Sequence, residues 1–141
     1  MALDDAGDEN EVRVRIASSA DVVGARQQAR ALASRAGFSQ SDLTVIATAV
    51  SEVVRNIVEY AKEGEVTIRL IARGGYRKGV EIVAADQGPG ISDVSLVMRD
   101  GYSTRKGLGI GLPGARRLMD DFEITSEPGK GTTVKMRKWV A

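Results

Sequence analysis

Glu52 and Asn56 stand four residues apart in Ser51-Glu52-Val53-Val54-Arg55-Asn56-Ile57. On a helix that spacing sets both side chains on one face, about 40° apart, away from the apolar stripe of Val50, Val53 and Ile57. Downstream come three glycine segments: Asp86-Gln87-Gly88-Pro89-Gly90, Gly107-Leu108-Gly109-Ile110-Gly111-Leu112 and Gly129-Lys130-Gly131-Thr132. Such segments cradle phosphates, because backbone N–H groups approach closely only where no Cβ intervenes. Each also has an ordinary reading. The Glu/Asn pair fits a solvated helix face, Asp86 an Asx-type turn, and Thr132 a hairpin end.

Composition narrows the chemistry further. The 141 residues contain no Cys and no His. Disulfides, thiolate chemistry, Cys-rich zinc sites and His-based acid–base catalysis are therefore excluded. What is left is carboxylates, Lys, Tyr, Ser/Thr or a hard cation held by oxygens. An aromatic content of 4% gives little for a nucleic-acid stacking platform, so no nucleic-acid partner is expected. No apolar run approaches the ~20 residues of a spanning helix, and the acidic start is unlike a signal peptide, so no membrane partner is expected either. Without cysteines the chain suits a reducing compartment, and a cytoplasmic location is expected.

The elements that must position these residues can be read from periodicity. The length suits one domain over 11–141, behind a flexible acidic tail over 1–10. The first eleven residues hold five acids and no base, which leaves +6 on residues 12–141. Val12, Val14 and Ile16 alternate as a half-buried strand. Asp21 reads as the N-cap of a helix from about 22 to 35, with Val22, Val23, Ala25, Ala29, Leu32, Ala33 and Ala36 as its stripe. A stronger helix begins near Ser41 or Asp42, carries Leu43, Ile46, Val50, Val53, Val54 and Ile57, and is ended by Gly64. Two strands around Val66–Leu70 and Val80–Ala85 form a hairpin over Gly74-Gly75. A short helix over about 112–121 precedes two last strands at 122–126 and 132–139. This order predicts an α+β fold, a two-layer sandwich with a mainly antiparallel sheet.

Gly109-Ile110-Gly111-Leu112-Pro113-Gly114 matches GxGxxG, but no strand precedes it as a Rossmann unit requires, and without His there is no kinase HRD loop. The P-loop pattern is absent. A different succession fits in order: Glu52…Asn56, Asp86-Gln87-Gly88-Pro89-Gly90, Gly107–Leu112 and Gly129-Lys130-Gly131-Thr132. It resembles the GHKL ATPase superfamily, with its N box, two glycine boxes and terminal G-x-G-T. More closely, Ala25-Arg26-Gln27, Asp100-Gly101-Tyr102-Ser103-Thr104 and Arg117-Leu118-Met119-Asp120 are similar to serine/threonine kinases of the RsbT type, related to anti-sigma-factor kinases.

That resemblance implies the GHKL (Bergerat) sandwich, with helices on one face of a mixed, mainly antiparallel sheet, and ATP with Mg²⁺ as cofactors. Asn56 would ligate Mg²⁺ and Glu52 would be the general base of phosphoryl transfer. Asp86 would accept from the adenine amino group, Gly88 and Gly90 would let the backbone pass the purine, and Thr132 would complete adenine binding. Gly107, Leu108, Gly109, Ile110 and Gly111 would wrap the phosphates at the end of a lid over 92–106. Arg105 and Lys106 would either neutralise phosphate or be solvated; both readings stay open. Arg55 is open between phosphate, partner and water. The partners implied are STAS-domain scaffold and antagonist proteins of a bacterial stress pathway and a PP2C-type phosphatase, met near Arg26, Arg30 and Arg55. Two other readings stand beside this one: an anti-sigma-factor kinase, and a nucleotide-gated binding module without transfer.

Overall fold

The computed structural model describes residues 10–90, Met98 and 111–141. The chain runs β1 (Glu11–Ile16), α1 (Asp21–Ser34), α2 (Gln40–Tyr60), β2 (Gly64–Arg73), β3 (Arg77–Asp86), α3 (Gly111–Leu118), β4 (Asp121–Glu127) and β5 (Gly131–Trp139). The strands form one sheet in the order β1-β2-β3-β5-β4, and all four pairings are antiparallel. The expected mixed character is thus not seen among the described residues.

Alternation puts Val66, Ile68, Val80, Ile82, Ala84, Val134 and Met136 on the face that packs under the helices. The opposite face carries charge. The register lines up Glu11, Arg69, Glu81, Arg137 and Asp121 in one row across all five strands. At its centre Glu81 is buried, 2.6 Å from Arg69 and 2.8 Å from Arg137. Burial pushes the Glu81 carboxyl upward, but the hydrogen bonds and charges of Arg137 and Arg69 more than reverse this. The group sits below the usual carboxylate range.

Helix α2 is buried through its middle on almost every side, from Ile46 to Ile57, as a helix between a sheet and other helices must be. Ser39 caps its N-terminus by accepting from the Asp42 N–H at 3.1 Å. Its stop differs from the sequence expectation. Gly64 does not end the helix but opens β2; Lys62 adopts the left-handed conformation (φ 72°), and the Ala61 and Lys62 N–H groups both close on the Ile57 carbonyl. In α1, Asp21 is the first helical residue and not the cap. Its carboxylate accepts from the Ala17 and Ser18 N–H groups and fixes the turn leading in. Val23, expected in the α1 stripe, is 48% exposed instead.

Candidate nucleotide site

The site begins on α2. Glu52 lies on the helix's polar side in sequence, yet only 5% of it is exposed. The N-terminus of α3 packs across it: the Gly111 N–H donates to Glu52 Oε1 at 2.8 Å. The other oxygen, Oε2, accepts from Arg55 Nη1 at 2.6 Å. A carboxylate at a helix N-terminus meets unpaired N–H groups and the positive end of the dipole, which offsets its burial. Asn56, half-buried one turn on, lines the same cleft with Glu59, Tyr60 and Leu112. The cleft holds about 20 Å³, room for about one water.

From Glu52 the helix runs some 13 Å to Ala61, which adjoins the segment after β3. A Cβ at Gly88 would meet the Ala61 side chain at 2.5 Å, so this segment lies against the end of α2. Asp86 ends β3 and is 7% exposed. Its Oδ1 accepts from the Gly88 N–H at 2.9 Å and from the Thr132 N–H at 3.2 Å. The first bond is the Asx-type turn and the second ties β3 to β5, so the turn reading is realised. Both bonds use one oxygen. Oδ2 takes none among the described residues.

Thr132 is set by a hydroxyl relay. Ser126 donates its single hydroxyl proton to the Gly131 carbonyl at 3.0 Å, so in its 2.8 Å bond to Thr132 the threonine is the donor. Thr132 Oγ1 therefore keeps lone pairs to accept with. Two glycines make this corner possible. Gly131 (φ 85°) would drive a Cβ into the Asp86 carbonyl oxygen, and Gly90 (φ 80°) would drive one into that of Glu127.

The structure thus brings Asp86, Gly88 and Thr132 together at one end of the site, and Glu52, Asn56 and Gly111 at the other. Arg105, Lys106, Gly107, Leu108, Gly109 and Ile110 lie outside the described residues. Arg55, left open by the sequence, is an ion-pair partner of Glu52. Arg30, expected near a partner surface, donates to Thr44 at 3.1 Å and Gln40 at 2.9 Å and ties α1 to α2. Sequence reasoning missed the Ser126 relay; the pairing of Ser126 with Thr132 across β4 and β5 appears only once the register is known.

A sandwich of this topology, with an Asp at the end of a sheet strand and a Glu/Asn pair on the facing helix, defines a nucleotide-binding domain of the GHKL class. The histidine kinase-like ATPase domain model matches residues 16–138. The chain is 49% identical over 127 residues to the serine/threonine-protein kinase RsbT of Bacillus subtilis, covering 90% of this chain and 95% of that one. It is 34% identical over 119 residues to an anti-sigma F factor of Caldanaerobacter subterraneus, covering 82% and 83%. Full-length ShkA, solved in complex with AMPPNP, shares the fold with a TM-score of 0.55 at 18% identity; the match covers 87% of this chain and 30% of ShkA. The chain belongs to the histidine kinase-like ATPase family, within its group of RsbT-type serine/threonine-protein kinases.

Proposed function

We propose that this kinase binds ATP with Mg²⁺ across the groove from Asp86 to Glu52 and phosphorylates Ser or Thr residues of STAS-domain scaffold and antagonist proteins. The observation that carries the reading is Asp86: two backbone N–H groups fix Oδ1 and leave Oδ2 to take the adenine amino group. Thr132 Oγ1, oriented as an acceptor beside it, extends the same recognition. At the other end, one amide oxygen from Asn56 suits Mg²⁺, which keeps water and phosphate oxygens as its remaining ligands. The cation would neutralise charge on the phosphates when bound. Glu52 is the group placed to accept the substrate hydroxyl's proton, and Gly111 presents it from the α3 N-terminus.

The same reading makes the kinase a switch in the cytoplasm, released from a phosphorylated scaffold to activate a PP2C-type phosphatase. A phosphate on the substrate adds roughly −1.5 to −2 charge near Glu52, which weakens that complex. The test uses the purified chain with Mg²⁺ and ATP, a STAS-domain protein, and the same protein with its Ser/Thr residues replaced. Phosphate transfer to the first and not the second is expected. Competition pull-down should give scaffold or phosphatase bound, never both; a stable ternary complex would defeat the switch. The likeness to an anti-sigma F factor favours a second reading, in which a sigma factor is held instead. Capture of a sigma factor in an ATP-dependent complex, without phosphatase binding, would establish that one.

A further inference from the structure

The hairpin of β4 and β5 orders its own hydroxyl protons. Ser126 and Thr132 are register partners, and alternation puts both on the helix side of the sheet. The Gly131 carbonyl can only accept, so it takes the Ser126 hydroxyl proton at 3.0 Å. The Ser126 oxygen then takes the Thr132 proton at 2.8 Å. The relay runs one way and closes within the hairpin, so no ligand is needed to set it. Three ties hold this hairpin against the end of β3. The Thr132 N–H donates to Asp86 Oδ1 at 3.2 Å, and the Gly129 N–H donates to the Pro89 carbonyl at 2.6 Å. Gly131 passes so near the Asp86 carbonyl that no Cβ fits between them.

The ordering decides what kind of group Thr132 can face. With its proton committed to Ser126, Thr132 Oγ1 offers lone pairs only, as a carboxylate such as Asp86 does. Two neighbouring acceptors match an amino group, which brings two N–H donors, and oppose an oxo group, which brings none. Adenine carries an amino group at C6, whereas hypoxanthine and guanine carry an oxo group there. A Thr132 hydroxyl released from the relay would rotate and donate to that oxo oxygen. We propose that Ser126 is a positioning residue for base selectivity: by holding the Thr132 proton, it bars 6-oxopurine nucleotides from the site. The inference rests on Asp86 and Thr132 being the base-recognising pair, and it adds a residue that touches no part of the nucleotide.

ITP is the probe, because it differs from ATP only in an oxo group at C6 and a hydrogen on N1. Calorimetry on the full chain with Mg²⁺ should show that the parent prefers ATP. Ser126→Ala should narrow that preference at least about tenfold, mostly through tighter ITP binding, since the oxo oxygen regains a donor. Ser126→Cys keeps the volume with a weak donor and acceptor, and should move the ratio the same way. In a Thr132→Val background, Ser126→Ala should leave the ratio unchanged, because no hydroxyl remains to be ordered. Thermal melting checks that each variant is folded. Equal ATP:ITP ratios in the parent and both Ser126 variants overturn the proposal. So does an undiminished shift in the Thr132→Val background, which would mean that Ser126 acts through the Gly131 backbone. A parent that binds ATP and ITP equally defeats the role of Ser126 and leaves ATP binding standing. One that binds neither defeats the nucleotide reading and this proposal with it.

Discussion

Arg55 Nη1 lies 2.6 Å from Glu52 Oε2, one turn away on α2, while the Gly111 N–H holds Oε1 at 2.8 Å. Both oxygens of the buried carboxylate are thus engaged by donors. Arg55 is the exposed member, with 43% of its side chain accessible, so in the proposed reaction it is the partner that would yield to a hydroxyl at Oε2. One oxygen is held by the α3 backbone and the other by a side chain that reaches solvent.

Glu52→Gln keeps an oxygen for the Gly111 N–H and removes only the proton-accepting capacity. ATP affinity should stay within about twofold, while phosphate transfer to a STAS-domain substrate should fall by ~10²–10⁴. Calorimetry and a radiolabel transfer assay separate the two. Transfer at the parental rate would remove Glu52 from the role of base.

Asp86→Asn should spare the fold, because an amide oxygen can still accept from the Gly88 and Thr132 N–H groups. Its NH₂ would then present a donor where adenine presents one too. A mismatch of this kind costs about 1–3 kcal/mol, so ATP affinity should drop by roughly 5- to 150-fold. Titration with ATP and GTP checks it. Unchanged preference for ATP would place adenine recognition elsewhere.

The terminal hairpin offers a paired comparison. Gly129 and Gly131 both have positive φ, but a Cβ at Gly129 meets nothing within 4 Å while one at Gly131 collides with the Asp86 carbonyl. Gly129→Ala should therefore show only the backbone penalty, about 1–2 kcal/mol. Gly131→Ala should cost more than that and weaken ATP binding as well, since it displaces Asp86. Urea unfolding of the two variants, with equal losses, would contradict the close approach.

Much of this was legible before any coordinates. Alternation at Val12, Val14 and Ile16 and the spacing of Leu43 to Ile57 fixed a strand and a helix, because burial on one face imposes its period on the sequence. The four boxes placed Glu52, Asn56, Asp86 and Thr132 in order along the chain. What stayed hidden depends on partners distant in sequence. Glu52 looked solvated on its own helix, and only α3, 59 residues away, buries it. Lys62 took the left-handed stop that sequence rules assign to glycine, because the nearby Gly64 is needed elsewhere: a Cβ there would press on the Ala85 carbonyl at 2.5 Å. Asp21 departs from the N-cap expectation for a related reason: its carboxylate turns back to the Ala17 and Ser18 N–H groups instead of forward into α1.

Glu81 yields a pH dependence whose sign can be worked out. Its carboxylate is buried at the centre of the open sheet face between Arg69 and Arg137, and its folded pKa lies below the ordinary 4.5. The unfolded chain therefore binds the proton more readily than the native one. The stability Glu81 contributes is fully present above the unfolded value and is lost as pH falls through the lower folded value. Removing one partner of a fully buried pair costs 3–5 kcal/mol, but Arg69 is 49% exposed and screened by water, so about 1–3 kcal/mol is the expectation for Glu81→Gln near neutral pH. The variant should also lose less stability than the parent as pH falls through and below the ordinary carboxylate value of 4.5, because the carboxylate whose folded pKa lies below it is gone. Urea unfolding at several pH values measures both effects. Parallel acid limbs for parent and variant would show that Glu81 does not supply this dependence, and that the guanidiniums of Arg69 and Arg137 find equivalent partners without it.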